Sequence, residues 1–173
     1  MKALKRFVPL NKRKHDRKSF DCGSVHLNVF LREKADNHYK KGVSLTMVLP
    51  EQSRTKPKRI CAFYTLSHTT IERNSLPTKI AKTLPSYPIP VLLLAQLAVH
   101  SDIQKKGMGK VSLILALRHC VKINKTLNSV AIVVDAIDAK ASSFYQKYGF
   151  DPLISNRLFL PMCVAEALLL RKT

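Results

Sequence analysis

The spacing of apolar positions changes along the chain, and this change predicts which segments are strands and which are helices. Residues 91–99 form an apolar run that only Gln96 interrupts, which is typical of a central strand buried on both faces. Residues 110–118 are apolar and rich in helix formers, so they predict a helix that extends to about residue 122. A second apolar run, over residues 129–135, predicts another interior strand.

Shorter patterns predict the remaining elements. Ser24 is a suitable N-cap for a helix over residues 25–39, Asp138 is a suitable N-cap for a helix over residues 139–148, and a glycine follows each helix. These elements together predict an α/β fold of the α+β mixed-sheet kind, with a mixed central sheet flanked by helices on both faces. The other predicted elements are a hairpin of strands over 44–49 and 59–68, a short helix over 78–83 in a proline-rich connection, closing strands over 150–153 and 157–160, and a segment over 164–170 that fits either helix or strand.

A basic turn with two glycines lies between the central strand and the helix that follows it. It reads Gln104-Lys105-Lys106-Gly107-Met108-Gly109, and Lys110 follows. Glycine allows backbone N–H groups to converge on an anion, and the start of a helix favours negative charge. The turn therefore predicts a phosphate site, and the alternative is an ordinary junction between a strand and a helix. The glycine spacing fits neither a Walker loop nor the dinucleotide-binding fingerprint.

The charge of the chain narrows the choice of partners. Thirty Lys and Arg residues face eleven Asp and Glu residues, which gives a formal net charge of +19. A polyanionic partner explains this excess better than solubility does, because each neutralised phosphate releases counterions. The basic residues concentrate in a first basic cluster (Lys12, Arg13, Lys14, Arg17 and Lys18), a second basic cluster (Arg54, Lys56, Lys58 and Arg59) and the loop lysines (Lys105, Lys106 and Lys110).

Length, cysteine content and hydropathy argue against several classes of protein, such as metal-binding and membrane proteins. A chain of 173 residues is expected to form one domain over residues 1–173. Its four cysteines form no Cys-x-x-Cys pair, so no metal site is expected and a reducing, cytoplasmic setting fits. No apolar run reaches the roughly 18 residues of a membrane span, so no membrane association is expected.

Two motifs resemble one enzyme superfamily. The pattern Gln-x-x-Gly-x-Gly after a buried strand resembles the acetyl-CoA loop of the GNAT N-acetyltransferases, and Phe144-Tyr145 followed by Gly149-Phe150 resembles a second signature of that superfamily. The resemblance implies the GNAT acyl-CoA N-acyltransferase fold, acetyl-CoA as co-substrate without a metal, and Tyr145 as the acid that protonates the leaving thiolate. A core aromatic is the alternative role for Tyr145, and helix capping is the alternative for Asp138. The residues that the resemblance implies for acetyl-CoA are Leu97, Ala98, Val99, Gln104, Lys105, Lys106, Gly107, Met108, Gly109, Lys110, Asp138 and Ser142.

A narrower resemblance covers most of the chain. The segment His15-Asp16-Arg17-Lys18-Ser19-Phe20-Asp21-Cys22-Gly23 and the tail Arg157-Leu158-Phe159-Leu160-Pro161-Met162 resemble the GNAT-type toxins of toxin–antitoxin systems. These toxins acetylate the α-amino group of aminoacyl-tRNA, which inhibits translation, and ribbon-helix-helix antitoxins neutralise them. The resemblance implies that the first and second basic clusters bind tRNA, and it leaves a homodimer open. Two alternatives stay open: a GNAT enzyme acting on a small-molecule or protein amine, and a non-catalytic basic nucleic-acid-binding protein.

The chain departs from the toxin pattern at a few positions. Lys105 stands where the family loop often has glycine, Ala95-Gln96 stands where relatives often have Gly-Arg, and His100 stands where Asp is common. No residue is a convincing general base. His100 is the only titratable candidate near the end of the central strand, and a lone histidine there is more often structural.

Overall fold

The long apolar runs of the sequence form the interior strands and the longest helix, as predicted. The protein is described by a computed structural model, which covers residues 1–54 and 56–170. Within those residues the chain forms a mixed α/β fold with eight strands and six α-helices. The strands are β1 (Val8–Pro9), β2 (His15–Asp16), β3 (Leu45–Pro50), β4 (Lys58–Ile71), β5 (Ile89–Val99), β6 (Ala131–Asp135), β7 (Asp151–Pro152) and β8 (Arg157–Pro161), and the helices are α1 (Val25–Val29), α2 (Ala35–Lys40), α3 (Thr78–Ala81), α4 (Met108–Leu127), α5 (Ala139–Gln146) and α6 (Met162–Leu170).

Several boundaries differ from the predicted ones. The helix predicted over residues 25–39 contains a π-helical turn, Phe30–Lys34, which separates α1 from α2. The helix α4 extends to Leu127, beyond the predicted end near residue 122, whereas α5 ends two residues before the predicted residue 148. The ambiguous C-terminal segment is helical, as α6. The strands β1 and β2 were not predicted, because two residues are too few to show a period.

Contacts group the chain into two compact units. The first unit comprises Met1–Ser67 and Ala95–Ala116, and the second comprises His68–Leu94 and the residues from Leu117 onward. The strands β4 and β5 and the helix α4 each contribute residues to both units.

In the first unit, helices and the N-terminal segment cover the two faces of an antiparallel sheet. The strand β1 pairs with β3, and β3 pairs with β4, so that Val48 lies opposite both Val8 and Phe63. On one face, Phe30, Leu31 and Ala35 of the α1–α2 helical segment pack with Val48 and Phe63. A second cluster contains other residues of β3 and β4 together with the end of β5 and residues near the start of α4: Leu49, Cys61, Ala62, Val99, Ile103 and Met108. The end of β5 and the start of α4 are thus anchored in one core.

In the second unit, the strand order is β5-β6-β8-β7. Leu92 and Leu93 of β5 pair in parallel with Ile132 and Val133 of β6, and β6 pairs antiparallel with β8. The core of this unit combines these strands with the connection that carries α3, and its buried members are Ile71, Leu76, Ile89, Val91, Ala131, Val133 and Phe159.

Candidate functional site

The turn between β5 and α4 holds two residues in the left-handed backbone conformation. Lys105 has φ 60° and Gly107 has φ 77°. A Cβ atom at Gly107 would have no heavy atom within 4 Å, so the space in front of this residue is open. Open space beside the N–H groups at the start of a long helix is the geometry of an anion site. We call residues 104–110 the glycine loop.

The two glycines of this loop have different structural roles. Gly107 needs its positive φ, whereas Gly109 is the second residue of α4 and lies in the helix. Gly109 therefore does not need the freedom of glycine for its backbone conformation, and its contact with a phosphate stays a prediction. The second left-handed residue is Lys105, the position where the family often has glycine.

The electrostatics of the loop favour an anion. The side chains of Lys105, Lys106 and Lys110 are exposed, and the first turn of α4 has no acidic residue. The ammonium group of Lys106 donates a hydrogen bond to the carbonyl oxygen of Asp102 at 3.3 Å. Three ammonium groups therefore add to the positive end of the helix dipole.

Lys105 provides a direct test of backbone strain in this loop. A left-handed conformation costs a non-glycine residue about 1–2 kcal/mol. Replacement by glycine removes this cost, but it also makes the unfolded state more flexible, which offsets part of the gain in stability. We expect Lys105→Gly to raise the free energy of unfolding by about 1 kcal/mol, measured by urea denaturation. Lys106→Gly is the matched control and should lower it, because Lys106 is not left-handed. Equal effects of the two substitutions would contradict the assignment of strain to Lys105.

The side-chain amide of Gln104 bonds to the backbone of the protein, although the residue is exposed. Its Nε2 donates to the carbonyl oxygens of Val99, at 2.8 Å, and Cys22, at 2.9 Å. An amide nitrogen has two N–H groups, so both are used by these bonds. The side chain of Gln104, which the resemblance assigned to acetyl-CoA, is thus occupied by protein carbonyls.

The end of β5, which leads into the glycine loop, lies beyond the described parallel pairs between β5 and β6. The described parallel pairs with β6 are at Leu92 and Leu93, and β5 continues to Val99. Ala98 and Val99 are buried, Leu97 is half-buried, and Ala98 and Val99 belong to the two core clusters of the first unit. Their side chains therefore pack, which leaves the backbone of this segment as the part able to bind a ligand.

His100 is structural. Its Nδ1 accepts the backbone N–H of Asp102 at 3.2 Å, and its Nε2 lies 3.4 Å from the carbonyl oxygen of Ser19. The ring is 4% exposed and lies edge-on to Phe20. With both ring nitrogens occupied, His100 is poorly placed to accept a proton from a substrate.

In the second unit, Tyr145 lies in an aromatic cluster at the end of α5. Its ring contacts those of Phe144 and Phe150, with centroids 5.3 and 5.4 Å away. Tyr145 is 8% exposed, and burial raises the pKa of its hydroxyl well above the ordinary value. The hydroxyl therefore keeps its proton at neutral pH, as a proton donor must.

The two other predicted residues of α5 lie at its start. Asp138 is the N-cap, because its carboxylate accepts the N–H of Ala141 at 2.7 Å, so the capping role proposed as an alternative is observed. Ser142 is half-buried, and its N–H donates to the carbonyl oxygen of Asp138 at 3.0 Å.

The structure brings the first and second basic clusters together. The strand β2 pairs in parallel with the start of β4, so that His15 lies opposite Lys58, and the N–H of Lys58 donates to the carbonyl oxygen of Lys14 at 2.9 Å. Burial and then the charges of Lys14 and Lys58 hold the pKa of His15 below its ordinary value. Arg59 forms an ion pair with Asp102, 3.1 Å away, which lies just before the glycine loop. We call the two joined clusters the basic surface.

Most cations of the basic surface are not neutralised. Lys12 pairs with Asp36 at 3.7 Å, and Arg59 pairs with Asp102. Arg17 donates to the carbonyl oxygen of Arg32 at 2.6 Å, a bond to a neutral group. Within residues 1–54 and 56–170, the other members have no ion pair: Arg13, Lys14, Lys18, Arg54, Lys56 and Lys58. Thr55, inside the second cluster, lies outside the described residues.

A cavity in the second unit was not predicted from the sequence. Its volume is about 440 Å³, and one wall is the bidentate ion pair between Arg157 and Asp135, with N–O distances of 2.6 and 2.8 Å. Thr70, Glu72 and Asn156 also line it. Its walls come from separate segments, so no local pattern could signal it.

In residues 1–54 and 56–170, no three His, Cys, Asp or Glu side chains group as metal ligands would. Over the same part of the chain, no helix has the length and apolar character needed to cross a membrane.

The chain is similar in sequence and in fold to several known toxins. No family model matches the chain. A tRNA-acetylating toxin of Mycobacterium tuberculosis (strain ATCC 25618 / H37Rv) is 28% identical over 149 residues, which cover 86% of each chain. The structure of AtaT complexed with acetyl-methionyl-tRNAfMet superimposes with a TM-score of 0.85 and 28% identity, covering 94% of this chain and 97% of AtaT.

Two further structures show related toxins with other ligands. AtaTR bound with acetyl-CoA has a TM-score of 0.81 and 28% identity, covering 94% of this chain and 96% of that one. A tyrosine-to-phenylalanine variant of the toxin AtaT, bound to the C-terminus of the antitoxin AtaR, has a TM-score of 0.80 and 25% identity over the same shares of the chains.

These likenesses indicate an N-acetyltransferase, in which β5, the glycine loop and α4 follow one another in a mixed sheet that matches the fold of the GNAT-type toxin AtaT. Its sequence and fold resemble those of the GNAT-type toxins of toxin–antitoxin systems.

Proposed function

We propose that this protein transfers the acetyl group of acetyl-CoA to the α-amino group of aminoacyl-tRNA and thereby inhibits translation. The observation that carries the proposal is the basic surface, which Arg59 and Asp102 connect to the glycine loop within one unit. An enzyme for a small uncharged amine would not need so many unneutralised cations beside its cofactor loop. The related toxins bound to acetyl-CoA and to acetylated tRNA support the same reading.

The glycine loop is the proposed binding site for the pyrophosphate of acetyl-CoA. Backbone N–H groups at the start of α4 would donate to phosphate oxygens, and the loop lysines would add charge. The residues present fit such a group, because the position in front of Gly107 is open and the first turn of α4 has no carboxylate.

The backbone of Leu97, Ala98 and Val99 is the proposed site for the pantetheine arm and the acetyl carbonyl. An extended ligand can pair with an unpaired strand edge in the way that an additional strand would. A backbone N–H group there can stabilise negative charge on a carbonyl oxygen. Acetyl-CoA supplies an acetyl group activated as a thioester. We assign Asp138 and Ser142 to the same cofactor as secondary contacts.

Tyr145 is the proposed general acid. As the amine nitrogen bonds to the acetyl carbon and the carbon–sulfur bond breaks, the Tyr145 hydroxyl gives its proton to the departing sulfur. The amine loses one proton to water, and a proton from water restores the Tyr145 hydroxyl. No protein base is required for this substrate. A free α-amino group has a pKa of about 7.7–8.0, so a useful fraction is neutral near pH 7.

The regulation of the protein is proposed by analogy with the related complexes. We propose an antitoxin partner, because an antitoxin binds the related toxin AtaT, and we propose the ribbon-helix-helix type because the resemblance to the GNAT-type toxins implies it. We place the enzyme in the cytoplasm, where aminoacyl-tRNA is found, and we propose a homodimer as its assembly.

The decisive experiment measures acetyl transfer from radiolabelled acetyl-CoA by the purified protein. We expect labelling of charged tRNA and no labelling of uncharged tRNA or polyamines. Labelling of polyamines or of protein amines alone would indicate a GNAT enzyme with another acceptor. Binding of tRNA without any transfer would indicate a non-catalytic nucleic-acid-binding protein.

Gly109 allows cofactor binding to be separated from folding. We expect Gly109→Glu to weaken acetyl-CoA binding by at least about 100-fold, because two like charges about 4 Å apart repel by a few kcal/mol near a protein surface. The fold should persist, since a carboxylate in the first turn of a helix is favourable. Isothermal titration calorimetry and thermal unfolding measure the two effects.

Gly109→Gln is the matched control for that substitution, because it adds a side chain of the same size without charge. It should bind acetyl-CoA better than Gly109→Glu. Normal affinity in a folded Gly109→Glu protein would remove the glycine loop from the cofactor site.

A further inference from the structure

Hydrogen bonds connect the segment that follows the first basic cluster to the end of β5 and the glycine loop. The N–H of Ser101 donates to the carbonyl oxygen of Asp21 at 2.8 Å. Gln104 adds the bond to Cys22, and its second bond, to Val99, holds the last residue of β5. All of these residues lie in the first unit.

Hydrogen bonds also hold the turn that Gln104 binds. The carboxylate of Asp21 accepts the N–H of Gly23 at 2.9 Å and the side-chain amide of Asn28 at 2.7 Å. These two donors hold the pKa of Asp21 below its ordinary value. Asn28 is buried in α1, and its amide oxygen accepts the N–H of Cys22 at 3.0 Å. Gln104 therefore bonds to a turn that is itself hydrogen-bonded to α1.

We propose that Gln104 is a positioning residue, whose amide cross-links the end of β5 to the Asp21–Gly23 turn and so fixes the backbone that binds acetyl-CoA. This inference rests on the proposed function. The next residue, Lys105, is in a strained conformation, and strained residues persist only where their surroundings hold them. The bonds of Gln104 hold the chain one residue before that point.

A cross-link and a direct phosphate ligand predict different behaviour toward a shortened substrate. A residue that binds the pyrophosphate directly affects acetyl-CoA alone. A residue that fixes Val99 as well as the loop also affects acetyl-pantetheine, which has the thioester but no pyrophosphate.

The test compares wild type with Gln104→Met, which keeps the length of the side chain and removes both N–H donors. We expect the KM for acetyl-CoA to rise and kcat/KM for both acetyl-CoA and acetyl-pantetheine to fall about tenfold, as for the loss of one or two neutral hydrogen bonds. The KM for aminoacyl-tRNA should not change. Gln52→Met, at an exposed glutamine, is the matched control and should behave as wild type.

Hydrogen exchange of the protein without substrates tests the cross-link apart from catalysis. We expect faster exchange of the backbone N–H groups over residues 101–107 in Gln104→Met, and unchanged exchange over residues 25–40. Unchanged exchange, or a defect confined to acetyl-CoA, would overturn the positioning role. If the wild-type protein transfers no acetyl group, that result counts against the proposed function. The hydrogen-exchange measurement then tests the cross-link by itself.

Discussion

Replacing Tyr145 with phenylalanine is expected to lower kcat by about 10²–10⁴-fold, the usual contribution of a general acid. The substitution removes only the hydroxyl, and the ring can keep its contacts with Phe144 and Phe150. Thermal stability and acetyl-CoA affinity should therefore change little. Steady-state kinetics with charged tRNA, together with calorimetry for acetyl-CoA, measure these quantities.

The pH dependence gives an independent check on Tyr145. Burial raises the pKa of its hydroxyl, so the protonated form, which is the active form of an acid, persists as the pH rises. Activity should therefore show no loss on the alkaline side of neutrality from this group, and it should rise as the α-amino group of the substrate becomes neutral near its pKa of about 7.7–8.0. A loss of activity already at mildly alkaline pH would contradict the assignment.

Tyr148→Phe is the matched control, because Tyr148 is on the same segment and its ring centroid is 5.1 Å from that of Phe144. It should retain the kcat of wild type. Near-full turnover by Tyr145→Phe would make Tyr145 a core aromatic, and the proton donor would then be sought at Ser142 or in ordered water.

The order of the long elements could be predicted from the sequence because each carries its own period or cap. The apolar run of β5, the helix formers of α4 and the cap Asp138 were sufficient to predict β5, α4 and the start of α5. Signals of this kind are local, and tertiary contacts did not reverse them. The prediction of one domain over the whole chain remains a prediction.

Features produced by contacts between distant residues could not be predicted. The strand β2 exists because His15 and Asp16 pair with Lys58 and Arg59, and this pairing also joins the two basic clusters. Likewise, the motif identifies Gln104 but not the direction of its side chain, which depends on the carbonyl of Cys22, 82 positions away. The left-handed conformation of Lys105 had an indirect signal, since the family often has glycine there.

The basic surface predicts that tRNA binding weakens steeply with salt. If about five of its cations each neutralise one phosphate, the slope of log affinity against log salt is about −4, and affinity falls about 10²–10³-fold between about 50 and 200 mM salt. The cations without an ion pair, such as Lys14 and Lys18, should contribute most, because Lys12 and Arg59 already interact with carboxylates. Fluorescence anisotropy with labelled tRNA at several salt concentrations measures the slope.

Charge reversal identifies the cations that make these contacts. The double substitution Lys14→Glu and Lys18→Glu should weaken tRNA binding and flatten the salt slope, and it should leave acetyl-CoA affinity unchanged, because neither side chain belongs to the glycine loop. Reversal of Lys125 and Lys147, two exposed lysines outside the basic surface, is the matched control for net charge. If both double variants weaken binding equally, the effect is one of total charge rather than of this surface. Binding of charged tRNA that does not depend on salt would contradict an electrostatic mode of binding through the basic surface.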